Sequence, residues 1–159
     1  TTQKSQEVVH TGVAQTSSTL ELSGPVIAQA SSTTCLGTVS FYLQLAAGGT
    51  TVDMTKVTYT ISTANQISTY VDGESKTSGF TKVFRTKVGQ GGDQDNLLEK
   101  LEMMLIEIPL TGTSDFATEK RIQPNDKFTL EIKPDVGAAL SLTKTAPAGL
   151  NANAYYELY

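Results

Sequence analysis

The chain is short of the residues on which most protein chemistry depends. Its 159 residues include one cysteine, one histidine and no tryptophan. A single cysteine excludes an internal disulfide and any multi-cysteine zinc site. Cys35 lies between Thr34 and Leu36 at the start of an apolar run, which reads as a buried structural thiol. A nucleophilic cysteine or serine wants an imidazole nearby, and the only histidine, His10, sits in the N-terminal segment. Hydrolase triads, histidine-rich metal sites and thiol catalysis therefore fit poorly. Long apolar runs are missing as well. The longest tight one, Met103-Met-Leu-Ile106, is far below the roughly 20 residues that cross a bilayer, and no signal peptide is evident. Acidic residues outnumber basic ones by 16 to 12, for a net charge of −4. That balance argues against nucleic acid or an anionic membrane surface as partner, because both select basic patches. Gly89-Gln-Gly-Gly92 lacks the following Lys-Ser/Thr of a phosphate loop, and the acid after it would repel phosphate.

What the chain has in abundance is threonine and serine, 24 and 13 residues. Most alternate with apolar residues, and β-branched threonine suits the solvent face of a strand. Val39, Phe41, Leu43 and Leu45 alternate with Ser40, Tyr42 and Gln44 before a Gly48-Gly49 turn. Val57, Tyr59 and Ile61 alternate with Thr58, Thr60 and Ser62. Ile67 to Val71 predicts a short strand ending on Asp72-Gly73, a hairpin signal. Phe80 to Val88 follows with Lys82, Arg85 and Lys87 interleaved, the mark of an edge strand or one with an exposed face. Leu101 to Leu110 is the most apolar segment. With Leu20 to Ala30, which Gly24-Pro25 interrupts, and three segments in the last third, this gives eight or nine strands. Residues 1–16 hold the one candidate helix, on a thin stripe of Val8, Val9 and Val13. The expected architecture is mainly β, an antiparallel immunoglobulin-like sandwich or barrel over 17–159, preceded by a short helical remnant over 1–16. The chain opens on Thr1-Thr-Gln-Lys without a methionine, so a longer parent chain is expected.

The last third is the most specific part. Phe128, Leu130 and Ile132 alternate, as do Ala138, Leu140 and Leu142, and Pro134-Asp-Val-Gly137 joins the two runs. The sequence then ends in strand-like Tyr155-Tyr-Glu-Leu-Tyr159. This block resembles the C-terminal end of archaeal flagellins (archaellins), in which an F-x-I/L-E-I-K-P-x-x-G-A-x-L element precedes a tail ending in Leu-Tyr. Gln3-Lys-Ser-Gln-Glu-Val-Val-His-Thr-Gly12 is loosely similar to the polar end of the archaellin N-terminal helix. The resemblance implies an extracellular structural subunit of the archaeal motility filament, with copies of itself and related flagellins as partners. It also implies an upstream hydrophobic helix that bundles at the filament centre and meets the membrane only before assembly. The other class open to the sequence is a secreted carbohydrate-binding or adhesin sandwich. That reading would want a row of exposed aromatics, which Tyr42, Tyr59 and Tyr70 do not clearly make.

One stretch carries chemistry. Asp93, Asp95, Glu99 and Glu102 gather four carboxylates in ten residues beside flexible glycines. Hard cations such as Ca²⁺ take several oxygen ligands, from carboxylates and backbone carbonyls together. Asp93 and Asp95 are the natural first ligands, with the carbonyl of Leu97 and the carboxylate of Glu102 to complete the shell. A solvated acidic turn is the alternative. Leu98 and Met104 stand where an EF-hand needs Gly and Glu, so that loop is excluded. Many archaellins carry a similar D-x-D-x-L-L-E-x-x-E element with Pro-Gly before its last Glu, and the resemblance implies a cation site. Here Lys100-Leu101 replaces that Pro-Gly. No catalytic residue is expected. Asp72-Gly-Glu74 reads as a turn, and Asp115 and Glu119 as solvated loop carboxylates.

Overall fold

Alternating apolar residues pair here into one large curled sheet. The computed structural model describes residues 19–73, 81–89, 95–111 and 121–159. The expected helix over 1–16, together with Glu74, Asp93, Asp115 and Glu119, lies outside the described residues. The strands are β1 (Leu20–Leu22), β2 (Val26–Ala30), β3 (Leu36–Leu45), β4 (Val52–Asp53), β5 (Thr58–Ser62) and β6 (Ile67–Asp72). They continue as β7 (Thr81–Gly89), β8 (Leu97–Leu98), β9 (Glu102–Pro109), β10 (Lys127–Lys133), β11 (Leu140–Thr145) and β12 (Tyr155–Leu158). Ten of these form a sheet in the order β11-β10-β5-β6-β7-β9-β3-β2-β12, with β1 alongside β3, and β4 and β8 make a small separate ribbon. The Thr145 N–H donates to the Tyr159 carbonyl at 3.0 Å, so the two sheet edges nearly meet and the sheet is almost closed.

The clean period-2 segments fold as their patterns require, because one face of each must leave water. In β3, Val39, Phe41 and Leu43 point inward opposite Ile108, Ile106 and Met104 of β9. Across the interior, Tyr59 and Ile61 of β5 lie beside Ile132 and Leu130 of β10. The Phe41 and Tyr59 rings, 6.5 Å between centroids, join the two halves of the sheet through the core. Each such buried side chain contributes about 1.5–3 kcal/mol of transfer free energy. The turn between β10 and β11 needs Gly137: its φ is +99°, and a Cβ there would collide with the Thr19 side chain. β12 pairs with β2 from Tyr155↔Gln29 to Leu158↔Val26, and Leu158 is buried. The final residues are thus built into the sheet, as their pattern implies.

Two expectations are corrected. Asp72-Gly73 does not start a hairpin, because β6 and β7 are parallel, with Tyr70↔Thr81 and Asp72↔Val83 in register. A parallel neighbour needs a crossover, not a tight turn. Nor is β7 an edge strand with its charges outward. It lies between β6 and β9, and it is Val83, Arg85 and Lys87 that face inward while Phe84 is 62% exposed.

Candidate functional site

The inverted β7 builds the polar centre of the molecule, because its two inward cations must be neutralised where water is scarce. Arg85 forks onto Asp72, with Nε donating to Oδ1 at 2.8 Å and Nη2 to Oδ2 at 3.0 Å. Nη2 also donates to Asn96 Oδ1 at 3.1 Å. Asp72 is buried and the Arg85 side chain is only 12% exposed, so this is a desolvated bidentate pair. The Tyr59 hydroxyl lies in the same buried region. Burial, and then the Asp72 charge, push its ionisation far above the usual tyrosine range.

Two residues along β7, Lys87 reaches the acidic loop. Its Nζ donates to Asp95 Oδ1 at 2.6 Å and to Glu102 at 3.4 Å. Asp95 Oδ1 also accepts the Leu97 N–H at 3.0 Å, and Glu102 Oε2 accepts the Glu99 N–H at 2.9 Å. The Lys87 side chain is 6% exposed and that of Glu102 10%, against 40% for Asp95. Burial lowers the lysine's proton affinity. The hydrogen bonds and charges of Asp95 and Glu102 outweigh that and hold its pKa above the ordinary lysine value. Of the four expected ligands, Asp95 and Glu102 converge, and the point between them is filled by the Lys87 ammonium. Leu97 lies in β8, opposite Asp53 of β4. Asp93 lies outside the described residues. Among the described residues no three His, Cys, Asp or Glu side chains gather closely enough to hold an ion.

The turn that delivers Glu102 is made with Lys100-Leu101. The Glu102 N–H donates to the Glu99 carbonyl at 3.1 Å, and Leu101 takes the left-handed position at φ 69°. A side chain there costs about 1–2 kcal/mol, and Leu101 is 83% exposed, so it recovers little of that by packing. Leu101→Gly is expected to raise the stability of the domain by about 1 kcal/mol after glycine's own entropy cost. Chemical denaturation measures this, and an unchanged or lower midpoint would show that the turn is unstrained. Beside the turn, a cavity of about 520 Å³ opens between residues 44–49 and 100–103.

Elsewhere, Cys35 is buried as expected, with Ser31 Oγ 3.1 Å and Ser32 Oγ 3.6 Å from its sulfur. Burial raises the thiol pKa, but the two serines and Arg121 outweigh it and hold the value below the ordinary one. The strand reading missed Asp72, Arg85 and Lys87 as interior ionic residues. The available signal was the alternation of β7 itself, in which Val83 shares a parity with Arg85 and Lys87.

The nearly closed sheet, with the Lys87 ammonium seated between the loop carboxylates Asp95 and Glu102, places the chain among β-rich domains built on a single curled sheet. The archaeal-type flagellin family profile matches residues 1–144, and the chain belongs to that family. Over 159 residues it is 36% identical to "Probable flagellin 1" of Archaeoglobus fulgidus, covering 95% of this chain and 76% of that one. It is 29% identical to "Probable flagellin 1" of Aeropyrum pernix, covering 94% and 78%. Among solved structures, a chain of the archaeal flagellum of Methanospirillum hungatei strain JF1 superposes with a TM-score of 0.60 at 28% identity, covering 95% of this chain and 79% of that one. Flagellin FlaB1 of Methanocaldococcus jannaschii shares the fold, with a TM-score of 0.68 at 13% identity, covering 89% and 97%.

Proposed function

We propose that this chain is a structural subunit of the archaeal motility filament on the cell surface, working by assembly and not by catalysis. The observation that carries the reading is family membership along almost the whole chain, together with the likeness to a flagellum subunit at 28% identity. The interior agrees with a structural role. On β7, Arg85 is paired with Asp72, and Lys87 with Asp95 and Glu102. Tyr59 and Tyr70 are fully buried and so give no exposed aromatic row for a sugar. The test is electron microscopy of the full-length gene product, expressed in an archaeal host that lacks its own filament subunits. Helical filaments are the expected result, and their absence in a host that exports and processes the protein would overturn the reading.

The acidic loop carries a second part of the proposal, one divalent cation, Ca²⁺ before Zn²⁺, at Asp93, Asp95, Leu97 and Glu102. Its support is the oxygen-only donor set and the convergence of Asp95 and Glu102 on one point. Lys87 already neutralises that point, so Ca²⁺ would enter by displacing its ammonium.

A further inference from the structure

The inverted parity of β7 has an outward counterpart. With Arg85 and Lys87 turned in, the outward positions of β7, β9, β3 and β2 carry a stripe of apolar side chains, interrupted by Thr86 and bordered by Thr38, Ser40 and Gln44. Tyr42 lies opposite Leu105, Val88 opposite Met103, and Phe84 is one step diagonal from Leu105. Phe84 is 62% and Tyr42 37% exposed, while Ile27, Val88, Met103 and Leu105 are half-buried. The face runs on into the 520 Å³ cavity, because Gln44 and Met103 belong to both and the exposed Leu101 stands at its lip.

The outward positions of the other half of the same sheet have opposite chemistry. Thr60 lies opposite Thr69, and Thr129 opposite both Ser62 and Thr143. Lys127 and Lys133 are exposed on β10, with Glu131 between them. The apolar face instead carries carboxylates at Glu107, directly opposite Phe84, and at Glu157 on β12.

We propose that the apolar face of β2, β3, β9 and β7 is a contact between subunits, occupied by the lysine-bearing β10–β11 face of a second copy of this chain. The proposal rests on the filament reading above. A helical polymer is built from heterologous contacts, in which each patch meets a different patch on its neighbour. The apolar face therefore meets another surface and not its own copy. Lys127 and Lys133 supply the charges that Glu107 and Glu157 call for, which sets the register of the contact. Size points the same way. Four strands about 4.8 Å apart and about 20 Å long give a face of roughly 400 Å², about half of what each partner buries in a stable two-body complex. Such a face leaves the isolated β-sheet domain monomeric. It holds only where each subunit touches several neighbours at once and the local concentration is high.

Two experiments on the full-length chain test the interface. A benzoylphenyl photo-cross-linker at position 84, activated in assembled filaments, should join residue 84 of one copy to the 127–145 segment of another. A cross-link to the apolar face of the second copy, to a different protein or to nothing would overturn the proposal. The second is Phe84→Glu with Leu105→Glu, expected to cut filament yield at least tenfold, while the unassembled variant melts within a few degrees of the parent. Phe84→Leu should assemble normally. Parental filament yield from the double variant would also overturn it, and if the double variant fails to fold, the cross-link decides. Parent filaments without the cross-link remove this interface only, whereas a parent that forms no filaments removes the filament reading with it.

Discussion

Replacing Arg85 by methionine should destabilise the domain by about 3–5 kcal/mol, the usual cost of removing one partner from a buried ion pair. The variant leaves Asp72 charged at 4% exposure without the fork that satisfies both of its oxygens. It also takes from Asn96 the donor that ties the acidic loop to β7. For a domain of this size the loss corresponds to a fall of roughly 10 °C in Tm. Arg85→Lys should recover only part, because a single ammonium cannot make two parallel hydrogen bonds to one carboxylate. Asp72→Leu combined with Arg85→Met should recover most of it, since the uncompensated charge goes too. Thermal unfolding of the four proteins is the measurement. A Tm within 2 °C of the parent for Arg85→Met would show that Asp72 is reached by water and the pair is not structural.

Lys87→Met is expected to cost about 2–4 kcal/mol, less than the arginine because Asp95 is 40% exposed and water shares in its charge. Since the lysine pKa is raised in the folded state, its contribution is fully present below the unfolded value of about 10.4. It is lost as pH rises through the folded value. The parent should therefore hold its advantage over the variant across neutral pH and lose it only in strong alkali. The same variant reads the cation proposal. With the ammonium gone, Ca²⁺ should recover part of the lost Tm in the variant and raise the parent's by less, and chelator should reverse both. If Ca²⁺ moves neither melting curve, the loop holds no divalent ion. If Lys87→Met melts with the parent in chelator, the carboxylates are solvated and the lysine is incidental.

The sequence disclosed most of the strands, because burying one face of a pleated segment leaves a period-2 trace that needs no knowledge of the partner. β3, β5 and β10 follow from that trace alone, and β12 from the strand-like aromatic run Tyr155-Tyr-Glu-Leu-Tyr159. Partner choice leaves no such mark. Asp72-Gly73 has the local chemistry of a hairpin, yet β6 is paired in parallel with β7, a decision taken by contacts distant in sequence. β7 misleads for a related reason. Alternating cations are normally a solvated face, and only the approach of Asp72, Asp95 and Glu102 from other elements makes an inward lysine and arginine tolerable. The acidic loop was visible as a cluster of carboxylates that wanted a cation. That the chain supplies one itself from fifteen residues upstream of Glu102 was not, because nothing in the local motif refers to β7.

The pairing of β12 with β2 has a consequence in time. Leu158 of β12 meets Val26 of β2, so this pair can form only after all the strands between them have been made. High contact order of this kind makes the final closure slow and leaves a growing chain with an unsealed edge. The seam where β12 joins β2 and meets β11 is therefore a late and slow step, and the sheet stays open along one side until it is taken.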